Sequence, residues 1–115
     1  PILGALGHIA TAAFTGFPLS VPIHMAVAII MAGTGASIGY IMKRMTSSFS
    51  YVVSGILGYI VNIGIGLAVI AWMTQSTEIV AILFVPLSLA YVLNYVGAAL
   101  VVSQLNRVFG GKRNA

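Results

Sequence analysis

The sequence predicts an all-α, polytopic transmembrane helix bundle, and three observations carry that reading. Apolar residues fill 60% of the 115 positions, more than a water-soluble domain of this size can bury. Charged residues account for only 5%, too few to dress a solvated surface. The cations also sit between the long apolar stretches rather than inside them. Lipid is therefore the expected solvent, and contact with membrane lipid the first expected partnership.

A crossing of the hydrocarbon core takes about 20 residues at ~1.5 Å rise each. Stretches 22–42, 49–73 and 79–105 meet that length. Stretch 2–15 falls below the usual minimum of roughly 17 residues, so it is expected to be re-entrant or the end of a truncated helix, truncation being favoured. Together the four segments form one helical domain over 1–105, followed by a basic tail over 106–115.

The breaks between segments differ in chemistry. Gly16, Pro18 and Pro22 stop one helix and let the next open at its first turn. Lys43 and Arg44 lead a short polar turn through Ser48, whereas Thr74 to Glu78 is polar without a cation. All five cations lie in that second turn or in the tail, at Arg107, Lys112 and Arg113. By the positive-inside rule this places Lys43, Arg44 and the tail in the cytoplasm. The expected protein is thus multi-pass in the cell membrane, with both termini cytoplasmic.

Composition also excludes functions. The absence of cysteine removes disulfides, thiolate metal sites and thiol catalysis. A formal charge of +4 spread this thinly is not a nucleic-acid face. No nucleophile stands with a base and an orienting partner, and no phosphate loop is present, so the chain reads as no enzyme, without cofactor or metal. The single acid, Glu78, lies at a segment edge, which leaves no carboxylate to relay protons or sodium within the membrane.

Small residues fall in register on several segments. Ala28, Ala32 and Ala36, with Gly35 and Gly39, recur at four-residue spacing on the second. Flat faces of this kind let helix backbones approach closely in lipid, either within the bundle or against a partner membrane subunit. Polar groups at membrane depth are costly unless paired, which makes each one a candidate site residue. His8 and His24 lie equally far from Gly16 along a hairpin and could face each other, or each could bond a neighbouring carbonyl. Asn62 and Asn94 stand near the middle of their segments, where an amide reaches the bundle interior to join helices or to read a ligand. Trp72 is placed as an interfacial aromatic, with Gln75 and Glu78 close by.

The run from Gly7 to Pro18, followed by a small-residue helix with a basic turn, resembles the later part of the substrate-binding S components of energy-coupling factor transporters. Ala90 to Ala99 with the basic tail is similar to their closing helix. The resemblance implies a six-helix bundle, its first two helices upstream of Pro1, that captures a small molecule such as a vitamin or cofactor precursor on its outer side. It further implies a transmembrane coupling subunit and ATPase subunits as partners. A pocket in the outer half would then draw on His8, Phe17, His24, Trp72, Gln75 and Tyr91, with Asn94 deeper. Two other readings stay open: a structural or assembly subunit of a larger membrane complex, and a small four-helix transporter acting as a dimer.

Overall fold

The computed structural model describes residues 1–16 and 18–110, and within them every regular element is helical. Phe17 and residues 111–115, which include Lys112 and Arg113, lie outside the described set. Helix α1 spans Ile2–Phe14, α2 Val21–Arg44, α3 Phe49–Tyr59, α4 Gly66–Thr74 and α5 Glu78–Gly110. A π-helical stretch, Ile60–Ile65, joins α3 to α4, so that Phe49–Thr74 is one rod. Three helical rods, Val21–Arg44, Phe49–Thr74 and Glu78–Gly110, are long and apolar enough to cross a membrane. The bundle measures 56 × 26 × 20 Å.

Local chemistry sets the rod ends. Gly16 adopts φ 75, a left-handed turn that glycine enters without a Cβ penalty, and so reverses the chain after α1. Ser20 caps α2 by accepting a hydrogen bond from the Ile23 amide, with a proline in the first turn. Lys43 and Arg44 close α2 where the helix dipole favours cations, and the Arg44 guanidinium lies 5.3 Å from the centre of the Tyr40 ring. Gln75 takes the left-handed conformation, φ 52, that ends α4, and its side-chain amide donates to the Trp72 carbonyl. The tail expected from 106 onward is helical through Gly110, because nothing between Asn106 and Gly110 breaks α5.

Packing runs opposite to that of a water-soluble bundle. Phe14 is 94% exposed and Leu3 86%, while the interior holds His24, Thr34, Ser50 and Ser54 beside Ala12, Ile23, Ala28, Ile63, Leu67 and Ile70. An apolar exterior around a small-residue, partly polar interior suits lipid as solvent. Hydroxyls on the rods are satisfied locally: Thr11, Thr15, Thr34, Ser37 and Thr74 each donate to the carbonyl four residues earlier.

α1 packs antiparallel to α2, and α2 in turn lies against the Phe49–Thr74 rod. Close approach depends on glycine. A Cβ at Gly4 would come 3.0 Å from the Met31 carbonyl oxygen, and one at Gly35 would come 3.3 Å from the Pro1 nitrogen. Part of the stripe on α2 is therefore used inside the chain: Ala28 is buried, Ala32 and Gly35 are half-buried, and Ala36 and Gly39 are exposed. α5 touches the Phe49–Thr74 rod alone and buries none of its 33 residues fully.

Candidate functional site

Two polar constellations stand out. The first joins α1 to α2, where His24 Nδ1 lies 3.2 Å from His8 Nε2, with ring centres 5.3 Å apart. The hairpin set by Gly16 brings the two imidazoles to one depth, with His24 buried and His8 half-buried. One nitrogen of the pair must carry the proton and the other accept it, so the contact fixes a tautomer on each ring. Among the described residues no group of three or more metal-ligating side chains exists. The contact itself ties α1 to α2 as an interhelical clasp. Replacing His8 and His24 by alanine singly and together is expected to give a coupling energy of about 1 kcal/mol, within the range of membrane hydrogen bonds. Protease nicking of α1 in detergent would report that loosening, and additive single effects would contradict the clasp.

The second constellation lies between α3 and α5 and is built on two tyrosine ladders. Tyr51, Gly55 and Tyr59 recur at four-residue spacing on α3, and Tyr91, Tyr95 and Ala99 do so on α5, so each set shares one helix face. Gly55 and Gly58 supply the room. A Cβ at Gly55 would come 2.8 Å from the Tyr95 ring, and one at Gly58 would meet the Tyr91 hydroxyl. The Tyr91 and Tyr95 rings stack nearly parallel with centres 5.9 Å apart, and Tyr59 meets Tyr91 edge-on at 5.6 Å.

The hydroxyls of Tyr59, Tyr91 and Tyr95 are engaged. Tyr91 donates to the Gly55 carbonyl at 2.9 Å, and Tyr59 shares a 2.8 Å hydrogen bond with Ser88. Tyr95 donates to the Tyr51 carbonyl at 2.6 Å and lies 2.6 Å from Ser54 Oγ. Since a phenol has one proton, the Ser54 hydroxyl is the donor in that second contact. Ser54 is fully buried, at 0% exposure, and so depends on its partners within the chain.

Beside the ladders opens a groove of about 580 Å³, bounded by Tyr51, Ile56, Tyr91, Val96, Ala99 and Ser103 among others. Its walls are almost wholly apolar, because the tyrosine hydroxyls turn toward backbone and serine partners and leave ring surface to the cavity. Such a space takes a small apolar body, planar where it meets the rings.

Of the described residues expected to build a pocket, Tyr91 lines this groove, whereas His8, His24, Trp72, Gln75 and Asn94 do not. His8 and His24 meet each other on the far side of α2. Trp72, 73% exposed, and Gln75 stand together at the end of α4, with the Gln75 amide occupied in capping that helix. Asn94, expected to reach the bundle interior, is instead exposed on α5. The register explains it: Tyr91 and Tyr95 turn toward α3, and a residue three positions on from Tyr91 points about 60° away from it around the helix. Asn62 is half-buried within the π-helical stretch. Phe17 lies outside the described residues.

Tyr51, Ser54 and Tyr59 were not among the expected site residues. Their signal was the four-residue spacing of tyrosine with small residues between, repeated on two segments. Comparison with known protein families, curated proteins and solved structures finds no match for the chain.

Proposed function

We propose that this chain is a membrane-embedded binding subunit for a small apolar molecule with a planar ring, which seats in the groove between α3 and α5. One observation carries the reading: a preformed space of about 580 Å³ walled by four tyrosine rings, of which Tyr59, Tyr91 and Tyr95 already have bonded hydroxyls. That volume falls within the few hundred to about 1,000 Å³ typical of small-molecule sites. A ligand there gains ring stacking and sheds water or lipid without displacing the hydrogen bonds of Tyr59, Tyr91 and Tyr95.

The threading inferred from the cations, multi-pass with both termini cytoplasmic, belongs to this proposal. Tyr51 stands one turn into α3, next to the Lys43–Arg44 turn, so the groove would occupy the cytoplasmic half of the membrane. Uptake driven by separate coupling and ATPase subunits is the fuller form of the reading, supported by the resemblance to S components. A groove in the inner half fits the delivery end of such a path better than capture at the outer face.

A second reading has its own support. The groove is open along its side and α5 buries none of its residues fully, features that an assembly subunit would use to seat a partner helix. Ala99→Phe separates the two, because a ring at Ala99 fills the groove without touching the hydroxyl network. After extraction in mild detergent, mass spectrometry is expected to find a ring-bearing small molecule released by the wild type and depleted at least tenfold in Ala99→Phe. Equal recovery from both proteins would overturn the binding-site assignment. Loss of a co-purifying membrane protein in place of a small molecule would favour assembly.

A further inference from the structure

We propose that α5 pairs with the α5 of a second copy of this chain, with the two Asn94 side chains hydrogen-bonded across a twofold axis. The starting observation is an amide without company. Asn94 is exposed and makes no hydrogen bond among the described residues. It also lies deep in the apolar stretch. Fifteen residues separate it from Ile79 and eleven from Leu105, or about 22 and 16 Å by helix rise, which sets it near the membrane midplane. Lipid tails offer an amide nothing, and water is scarce at that depth.

The surroundings of Asn94 are shaped for a close neighbour. Ala90, Gly97 and Ala98 share its side of α5 and are all exposed, and a Cβ added at Gly97 would meet nothing within 4 Å. Among the described residues no other helix covers that side, so a second helix could approach backbone to backbone. Val96 and Ser103, which bound the groove, point about 160° to 180° away around the helix. Tyr91, which also lines the groove, lies about 60° from Asn94, so pairing would use a side of α5 next to the groove's tyrosine edge; the inference shares with the proposed function only the threading inferred from the cations, not the ligand.

Chemistry selects the occupant. A carboxamide carries both a donor and an acceptor, so two of them facing each other satisfy one another with two hydrogen bonds. An unrelated helix would need its own polar group at the same depth. A second copy has one by construction: cations confined to one side thread every copy in the same direction, and a twofold axis along the membrane normal then sets Asn94 opposite Asn94. A single membrane-depth asparagine that fixes the pairing of two helices is a known use of the residue.

The chain contains no cysteine, which makes single-cysteine cross-linking clean. In vesicles of the full-length protein, Ala90→Cys and Ala98→Cys are expected to form disulfide-linked dimers under mild oxidation, and Val92→Cys and Leu100→Cys, on the groove side, to stay monomeric. Energy transfer between labelled copies should show Asn94→Leu associating roughly three- to tenfold more weakly, in line with membrane hydrogen bonds, and Asn94→Gln restoring part of the loss. Thermal melts at dilutions where the protein is monomeric keep folding separate from pairing; unchanged melting is expected, since Asn94 is exposed and makes no hydrogen bond among the described residues. A monomeric wild type at high protein-to-lipid ratio, cross-linking of equal yield on both sides, capture of a different protein by Ala98→Cys, or full-strength pairing by Asn94→Leu would each overturn the proposal.

Discussion

Gly58→Ala is expected to destabilise the bundle by about 1–3 kcal/mol, the usual cost of forcing atoms into a filled interior. Gly58 is where three rods meet. A Cβ there would land on the Tyr91 hydroxyl of α5 and come 2.8 Å from Ile38 Cδ1 of α2. The isoleucine can swing aside, but the hydroxyl is held by the Gly55 carbonyl. Tyr91→Phe removes the atom that the new methyl would strike. The double variant is therefore expected to lose less stability than the two single losses added together, as read by thermal unfolding in detergent. Strict additivity would mean that Tyr91 is not the obstacle, and Gly58→Leu is expected to leave little folded protein at all.

Tyr95→Ala is expected to be the next most damaging change, costing about 2–4 kcal/mol through lost ring packing and two lost hydrogen bonds. The ring fills the space that Gly55 leaves open, and the hydroxyl links the Tyr51 carbonyl to Ser54. Tyr95→Phe isolates the polar part. It should cost about 1 kcal/mol and leave Ser54, fully buried, with a long 3.5 Å contact to Met42 Sδ and a 3.3 Å contact to the Tyr51 carbonyl. Ser54→Ala in the Tyr95→Phe background should then cost almost nothing, because both ends of the contact are gone. A full additional loss in that background would mean that the sulfur contact, rather than the phenol, supports Ser54.

Rod positions were legible in the sequence because length and breakers determine them. Segments expected over 22–42, 49–73 and 79–105 correspond to helices Val21–Arg44, Phe49–Thr74 and Glu78–Gly110, and the stretch 2–15 to Ile2–Phe14. Rotation about each rod was not legible. A helix apolar on every side, such as α5, has no stripe to mark its inward face, so nothing local distinguished the side carrying Asn94 from the side carrying Tyr91. The rule that membrane-depth polar groups point inward failed at Asn94 because it ranks residues by cost one at a time. Two tyrosines that stack on each other and donate to backbone carbonyls of α3 set the register of α5 rather than the one amide. The groove has no local signature for a related reason: its walls are mostly valines, tyrosine rings and small residues, and only the meeting of two ladders from segments forty residues apart creates it.

The wide turn at Ile60–Ile65 ties the length of its rod to its function. A π-helical stretch accommodates a surplus residue, so the faces on either side of it are out of phase by about 100° relative to an unbroken α-helix. On one side of the turn Ser54 and Gly58 look inward, and on the other Gly66, Leu67 and Ile70 do. Closing the wide turn with the residue count kept would, with the Ser54 end held by Tyr95, rotate Leu67 and Ile70 by about 100° toward lipid, whereas removing the surplus residue would let the helix wind regularly with both still facing inward. A one-codon deletion across 60–65 is therefore a length change the rod can absorb, whereas one added residue would carry Leu67 and Ile70 about 100° out of phase with Ser54.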